Sequence, residues 1–524
     1  MRCFKGLAIV AIALTLLFAG AASAREIYGL SSGTVDFYTG NALLEEWRIP
    51  EARSLVDDLI KRAPEDTATL LLDGHVRFFE GDYKGALERL DGAGVTGSFR
   101  ELVKVTSEIS EGFKSRQSEH FEVFWENPKD EVLAGPALEG LEASYNELSK
   151  LLGFRPENRV RVEIYPTVAD FTAVSTLTRE EVETSGTIGL CKFNRLMITS
   201  PRVTFFGYRW RDTLCHEFAH LAVFRLSGGN APIWIHEGLA RYFEGSWRGR
   251  SGRVTPFALN LLAKRFSEDT LIPLDKMSPS VAKLPSAEDT SLAFAEVGTM
   301  VSYLIEHKGG DAPRKLLKLL AEGLGDRDAF AKVWGGTFSS FEDEWRSWVE
   351  TLEVPSEDLE VMGISLKDSG GEPEAGKIPD PEAKDYTRLG DMLRARGRME
   401  AASVEYEKGF LLLPENPAVV SKYAMGRIYL GQYQAALDAI EPVISLYEDR
   451  GSLWMRKGEA LLALERYDEA ASAFSELMEI NPFDEPGRAG LVRSLEGSGR
   501  EEEFKRAMKD LELITGGAPG GAHP

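Results

Sequence analysis

A period of 34 residues in the last quarter of the chain constrains the fold more than any other feature of the sequence. Gly390 and Gly458 lie two such periods apart, and Tyr406 and Phe474 are separated by the same interval. Small residues at fixed positions allow two antiparallel helices to approach closely, and the hairpins can then stack on one another. The period therefore predicts a stack of helical hairpins at this end of the chain.

The residues within the period resemble those of the tetratricopeptide repeat. A first repeat begins at Ala383, the second is a weaker match because Glu448 replaces its terminal proline, and the third again fits closely. A degenerate fourth unit resembles a polar capping repeat. The resemblance implies an all-α array over residues 383–516 that binds a protein partner along its concave surface. The first repeat fills the expected positions with Tyr386, Leu389, Gly390, Leu393, Ala402, Tyr406, Gly409 and Pro414.

The same period recurs more faintly near the N-terminus. Ala52 and Pro64 match one unit, and Gly74 and Tyr83 match the next. We therefore predict two repeat-like hairpins within an N-terminal helical region, residues 25–114. An ordinary pair of helical hairpins is the alternative, because most of the aromatic positions are unfilled.

The first 24 residues have the features of a signal peptide. Arg2 and Lys5 precede an uncharged stretch, Gly6–Ala24, which ends in an A-x-A cleavage site. This pattern predicts a signal peptide over residues 1–24, and export to the periplasm or the exterior; an uncleaved signal helix is the alternative. No later stretch has the roughly 18 apolar residues of a spanning helix, so we expect no transmembrane segment after cleavage.

Composition excludes several classes of protein. Hydrophobic residues make up 43% and charged residues 27% of the chain, which is typical of globular domains rather than of disordered or fibrous chains. The net charge is −22, and the sequence contains no block of lysine and arginine. We therefore expect no nucleic-acid partner.

The residues between the two repeat regions have a different pattern. Residues 115–353 contain β-rich runs and helical patterns that do not alternate regularly, which predicts a single α+β domain. Residues 354–382 are rich in glycine, proline, serine and glutamate and read as a flexible linker, and residues 517–524 read as a disordered tail. The predicted strands cover residues 120–125 and 160–165, and the predicted helices cover residues 138–152, 211–226 and 293–307.

The α+β domain contains an H-E-x-x-H sequence. It consists of His216, Glu217 and His220. On a helix, residues four apart lie on the same side, so the two imidazoles can bind one metal ion while the glutamate lies beside it. Apolar residues recur at helical spacing around the motif, which favours a helix with its other side buried.

Two histidines leave a hydrolytic zinc site one ligand short. Glu237 follows in a second predicted helix, where its carboxylate can face the first helix across a short connection. His236 and Glu244 are weaker alternatives for the third ligand. Asp212 precedes His216 by four residues and either accepts a hydrogen bond from that imidazole or only favours the start of the helix.

These two segments together resemble the gluzincins of the peptidase MA-like group, whose signature is HExxH followed by P-x-W-x-x-E-G-x-A. His216, Glu217 and His220 match the first part. The resemblance implies a zincin-like fold for the α+β domain, one Zn²⁺ per chain held by His216, His220 and Glu237, and Glu217 as the general base. The second part is matched by Pro232, Trp234, Glu237, Gly238 and Ala240.

Two further features of the domain are left open by the sequence. Related enzymes stabilise the oxyanion with a tyrosine or histidine, and Tyr242, Tyr303 and His236 are the candidates here. Cys191 and Cys215 either form one disulfide or remain two small buried thiols.

The sequence therefore predicts an exported zinc metallopeptidase that acts on a protein or peptide substrate. An endopeptidase is preferred, because the G-x-M-E-N type element that binds the free N-terminus in related aminopeptidases is missing. The repeats would recruit substrates or partners. The alternative is an assembly scaffold of the cell envelope whose zincin domain is structural or weakly active.

Overall fold

The computed structural model describes residues 34–175, 177–352 and 378–516. The predicted signal peptide and the predicted tail lie outside these residues. Most of the predicted linker also lies outside them, and Ile378 is the first described residue after it.

Five helices come first in the described part of the chain. Asp66 caps the third helix by accepting a hydrogen bond from the backbone N–H of Ala68. The buried apolar side chains of these helices belong to the same hydrophobic core as those of the domain that follows. The helices are α1 (Thr34–Glu45), α2 (Ile49–Arg62), α3 (Thr67–Glu80), α4 (Tyr83–Gly92) and α5 (Ser98–Ser110).

The central domain, residues 114–349, contains a five-stranded sheet with the order β1-β2-β3-β5-β4. β2, β3 and β5 run parallel, and the two outer strands pair antiparallel with their neighbours. β4 therefore lies at one edge of the sheet. The strands are β1 (Lys114–Gln117), β2 (Phe121–Trp125), β3 (Val160–Tyr165), β4 (Gly189–Lys192) and β5 (Arg195–Thr199).

Helices surround this sheet, which confirms the predicted α+β composition. The predicted strands and helices are all present, with ends that differ by up to seven residues. The helices are α6 (Glu131–Leu152), α7 (Val168–Ser175), α8 (Arg179–Ser185), α9 (Trp210–Ser227), α10 (Ile233–Phe243), α11 (Pro256–Ser267), α12 (Ala287–Lys308), α13 (Ala312–Ala321), α14 (Asp326–Trp334) and α15 (Phe338–Val349).

The C-terminal array, residues 381–515, consists of four consecutive helical hairpins. The predicted small and aromatic positions meet inside the hairpins: a Cβ atom at Gly390 would lie 2.4 Å from the ring of Tyr406, and one at Gly458 would lie 2.7 Å from the ring of Phe474. The 34-residue period is thus a packing requirement. The helices are α16 (Pro381–Arg394), α17 (Met399–Leu412), α18 (Pro417–Tyr429), α19 (Tyr433–Ile444), α20 (Gly451–Ala463), α21 (Tyr467–Ile480), α22 (Glu485–Gly497) and α23 (Glu501–Thr515).

The array is docked on the segment that leads into α9. The backbone N–H of Tyr208 donates to the carbonyl oxygen of Ile480 at 2.8 Å. Gly207 has a φ of 77°, and a Cβ atom there would lie 2.0 Å from the same carbonyl oxygen, so only glycine permits this approach. Beside it, the guanidinium of Arg211 makes two hydrogen bonds to the carboxylate of Glu479.

A buried polar network joins the N-terminal helices to the sheet. Glu163 on β3 accepts hydrogen bonds from the hydroxyl of Tyr83 on α4 and from the hydroxyl of Tyr165. It also lies 2.5 Å from Nε of Arg161 and 3.1 Å from Nε of Arg195. Burial opposes ionisation, but the two guanidiniums and two hydroxyls outweigh it and lower the pKa of Glu163 to about 2.

The Glu163→Gln substitution tests this network through the pH dependence of stability. The pKa of Glu163 in the folded state lies below the ordinary value of 4.5, so ionisation stabilises the fold above that pH and the contribution is lost as the pH falls toward 2. We expect Glu163→Gln to lower the free energy of unfolding at pH 7 by about 3 kcal/mol. The variant should also lose less stability than the unsubstituted protein between these two pH values.

Urea unfolding followed by tryptophan fluorescence measures both effects. Glu119→Gln is the control, because the Glu119 side chain is 84% exposed. Equal loss of stability with acid in Glu163→Gln and in the unsubstituted protein would contradict the assignment.

Candidate metal centre and substrate cleft

Helix α9 carries the H-E-x-x-H residues. Its buried side includes Leu214, Phe218 and Leu221, each at most 1% exposed. The helix ends at Gly228, which adopts the left-handed conformation with a φ of 60°. The apolar side is fixed in the core, so the opposite side, with the two histidines, faces a cleft.

The second signature segment forms α10, and its residues explain why the helix lies where it does. Pro232 directly precedes the helix. The indole of Trp234 donates to Asp326 at 2.8 Å, which ties α10 to α14. A Cβ atom at Gly238 would lie 2.8 Å from the carbonyl oxygen of Val297, so glycine lets α10 pack tightly against α12. This packing directs Glu237 toward α9.

His216, His220 and Glu237 come together as the sequence predicted. One nitrogen of each histidine and one carboxylate oxygen of Glu237 all lie within 4.8 Å of one another. The Nε2 atoms of the two histidines are 3.1 Å apart, and each is 3.4 Å from Oε2 of Glu237. The Nε2 atoms and this oxygen therefore converge on one point.

The three residues fit a zinc ion. Two imidazoles and one carboxylate are a donor set found in hydrolytic zinc sites. Oε2 of Glu237 is buried and accepts no hydrogen bond from the described residues. Burial raises the pKa of this carboxyl, but the neighbouring His220 and His216 outweigh burial and hold the pKa well below the ordinary value. An ionised, buried oxygen without a donor is suited to a cation.

The proton on His216 is the competitor of that cation. Burial disfavours the charged imidazole, yet Glu237 and Glu244 outweigh it and raise the pKa of His216 to about 10. A metal ion has to displace this proton, since only the neutral imidazole is a ligand.

Glu217 lies on the side of the motif that faces β4. A Cβ atom at Gly189 on this strand would lie 2.9 Å from Oε1 of Glu217, so the missing side chain leaves room for the carboxylate. Burial raises the pKa of Glu217, although His220 and His216 oppose it. Gly189 is a contributor that the sequence analysis missed, because nothing in a lone glycine of a short strand indicates its neighbour.

The outer nitrogens of the two histidines contact residues that the sequence did not assign to them. Nδ1 of His216 lies 3.7 Å from the carboxylate of Glu244, and Nδ1 of His220 lies 3.4 Å from Nδ1 of His236. His236 and Glu244 therefore lie behind the ligands rather than among them. Asp212 does not contact His216; its carboxylate accepts hydrogen bonds from Trp247 and Arg248.

We expect Glu244→Gln to weaken zinc binding about tenfold, because carboxylates behind a metal-bound histidine orient it and raise its basicity. Arg241 donates to Glu244 at 2.8 Å and holds it in place. The measurement is competition for zinc with a fluorescent chelator. Asp212→Asn is the matched control, and unchanged affinity in Glu244→Gln together with weaker binding in Asp212→Asn would reverse the assignment.

The structure distinguishes between the three candidates for the residue that stabilises an oxyanion. Tyr303 is 5% exposed and packs among Trp334, Phe341 and Trp348, away from the cleft. Tyr242 packs over Gly252, and a Cβ atom at that glycine would lie 2.6 Å from the tyrosine ring. Of the three candidates, His236 is the one among the residues lining the cleft.

The two cysteines remain free thiols, so the disulfide alternative is not realised. Cys215 lies on the buried side of α9, and burial raises the pKa of its thiol. Cys191 lies on β4, and burial, reinforced by the nearby Glu217, raises the pKa of its thiol as well. Neither thiol has the lowered pKa of a reactive cysteine.

All three parts of the described chain border the cleft, which has a volume of about 670 Å³. Trp47, between α1 and α2, and Phe79 of α3 come from the N-terminal region, and Glu448 comes from the C-terminal array. The central domain supplies the metal-binding residues and every residue of β4. This volume is typical of ligand-binding clefts.

Comparison with known proteins agrees with both parts of this architecture. A family model of the Peptidase MA superfamily matches residues 142–351, and one of the tetratricopeptide repeat matches residues 424–485. The chain combines a peptidase MA superfamily domain with tetratricopeptide repeats. The Peptidase MA match contains all of His216, Glu217, His220 and Glu237.

Individual relatives are distant. The small glutamine-rich tetratricopeptide repeat-containing protein 2 of Mycosarcoma maydis is 31% identical over 96 residues, which are 18% of this chain and 27% of that protein. A tetratricopeptide repeat protein of Thermus thermophilus aligns with 25% of this chain and 74% of its own, at 21% identity and a TM-score of 0.24. Yeast LTA4 hydrolase aligns with 77% of this chain and 66% of its own, at 12% identity and a TM-score of 0.32. The chain therefore spans about a quarter of the curated relative that it matches.

Proposed function

We propose that the protein is a zinc-dependent peptidase that cleaves peptide bonds within protein substrates. The observation that carries the proposal is the convergence of His216, His220 and Glu237 within 4.8 Å, with Glu217 next to the first ligand and at the cleft. A site that only binds zinc needs no neighbouring carboxylate. The C-terminal repeats would bind protein partners or substrates.

The catalytic roles follow from the positions of the side chains. His216, His220 and Glu237 would hold the zinc ion, which when bound lowers the pKa of a water molecule and polarises a carbonyl group. Glu217 then accepts the proton of the attacking water and donates it to the leaving amine.

The strand at the sheet edge supports a peptide substrate. β4 pairs with β5 on one side and is the last strand in the sheet order, and its residues line the cleft beside α9. An extended peptide can add to such an edge through backbone hydrogen bonds. This mode of binding requires no free terminus and is therefore consistent with an endopeptidase.

Two substitutions test the proposal. We expect the unsubstituted protein and Glu217→Gln to contain one zinc per chain, and Glu237→Ala to bind zinc about a hundredfold more weakly, since one of three ligands is removed. Only the unsubstituted protein should hydrolyse casein, and Glu217→Gln should retain less than about one thousandth of its activity. Metal content is measured by inductively coupled plasma mass spectrometry and hydrolysis by release of fluorescent peptides.

The outcomes separate the proposal from its alternative. Zinc without hydrolysis of casein or of any peptide pool would favour an assembly scaffold whose zincin domain is structural. A protein without zinc affinity would contradict the assignment of the ligands.

We also propose that the protein is exported, with the mature chain beginning at Arg25. The proposal rests on the basic residues, the uncharged stretch and the A-x-A site of the first 24 residues. No helix among the described residues combines the length and the apolar content needed to cross a bilayer. N-terminal sequencing of protein recovered outside the cytoplasm should begin at Arg25, and a chain that keeps Met1 would contradict cleavage.

A further inference from the structure

The loop between α19 and α20 of the array reaches the rim of the cleft. Glu448, Asp449 and Arg450 of this loop line the cleft. The guanidinium of Arg209 holds the loop, because Nε donates to Asp449 at 2.5 Å and Nη2 donates to the carbonyl oxygen of Glu448 at 2.8 Å. The indole of Trp454 donates to the same carbonyl oxygen at 2.8 Å. The array thus supplies a fixed wall at the end of the cleft near the start of α9.

Two arginines of the central domain face this wall. Arg250 and Arg253 lie in the turn after α10, and both line the cleft. The turn is fixed to the helix, because the backbone N–H of Gly252 donates to the carbonyl oxygen of Tyr242 at 2.8 Å. The side chains of the two arginines are 40% and 41% exposed, so both guanidiniums are accessible to a molecule in the cleft.

The two arginines contact this wall unequally. Arg253 makes two hydrogen bonds to the carboxylate of Glu448, one of them at 2.8 Å. Nη1 of Arg250 lies 3.7 Å from the same carboxylate, which is too far for a hydrogen bond. Among the described residues, two guanidiniums therefore share one carboxylate. The guanidinium of Arg250 therefore makes no hydrogen bond to this carboxylate, whereas Arg209 nearby pairs with two carboxylates, those of Asp449 and Glu476.

The chemistry of arginine indicates what the guanidinium of Arg250 would bind. A guanidinium presents a planar set of donors that matches the two oxygens of a carboxylate. The weak contact of Arg250 with Glu448 can be replaced at little cost by a ligand with better geometry.

We propose that Arg250, together with Arg253, forms a specificity-determining subsite that binds a carboxylate of the substrate at the end of the cleft closed by the array. The inference deepens the proposed function and rests on it, since the substrate is taken to be a peptide. The carboxylate belongs either to an aspartate or glutamate side chain or to the C-terminus of the peptide. On this proposal the repeats have a direct part in the substrate site.

The experiment measures binding to the zinc-loaded Glu217→Gln protein, in which the general base is removed. The probes are three fluorescein-labelled pools of peptides with randomised uncharged residues. The first has a central glutamine and an amidated C-terminus, the second has a central glutamate and an amidated C-terminus, and the third has a central glutamine and a free C-terminal carboxylate. Affinity is measured by fluorescence anisotropy.

Arg250→Gln and a control are then introduced into the Glu217→Gln protein. The control is Arg327→Gln. The Arg327 side chain is 51% exposed and pairs with the carboxylate of Asp275 at 2.9 Å, but it does not line the cleft. We expect the second or the third pool to bind about fivefold more tightly than the first. This preference should be lost in Arg250→Gln, kept in Arg327→Gln and reduced by added salt.

The pool that carries the preference identifies the source of the carboxylate. Equal affinity for the three pools, binding of none of them, or a preference that survives Arg250→Gln would overturn the subsite. Failure of the proposed function is recognised separately, as the absence of hydrolysis by the zinc-loaded protein without substitutions. The comparison of affinities remains valid in that case.

Discussion

The geometry of the site depends on one buried carboxylate. Glu237 has a side chain that is only 10% exposed, and its Oε2 lies between two imidazole nitrogens. Removing an ionised group from water costs several kcal/mol unless a cation compensates it. Protons or a metal ion between α9 and α10 would therefore offset the cost of burying this carboxylate. Gly238 and Trp234 maintain the position of α10 by tying it to α12 and α14.

The N-terminal helices and the central domain act as one structural unit. Their buried apolar side chains belong to one core, and Glu163 joins them through a network of buried charges and hydroxyls. Such a network is strongly destabilised when one partner is removed, so it fixes the relative position of its members. The ring of Trp47 lies 4.1 Å from that of Phe224 on α9, and both residues line the cleft.

The C-terminal array is joined to the domain by charged contacts as well as by apolar ones. Its contacts around α9 are mainly pairs of arginine and carboxylate, such as Arg211 with Glu479, together with the close approach of Gly207 to Ile480. Charged contacts at a partly exposed interface are more sensitive to salt than an apolar core. The position of the array, and with it one wall of the cleft, is thus held in part by electrostatic interactions that border the metal-binding helix, and in part by Ile514 in the common apolar core.

The sequence by itself determined what depends on spacing along the chain. The interval between His216 and His220 fixes a shared side of a helix, and the period that relates Gly390 to Gly458 fixes a packing contact between helices. Only the tertiary structure decided which groups surround the ligands. Glu244 rather than Asp212 lies behind His216, and Glu448 borders a cleft formed mainly by the central domain. These contacts depend on how separate elements pack. The spacing of residues along the chain does not predict which distant side chain contacts a given residue.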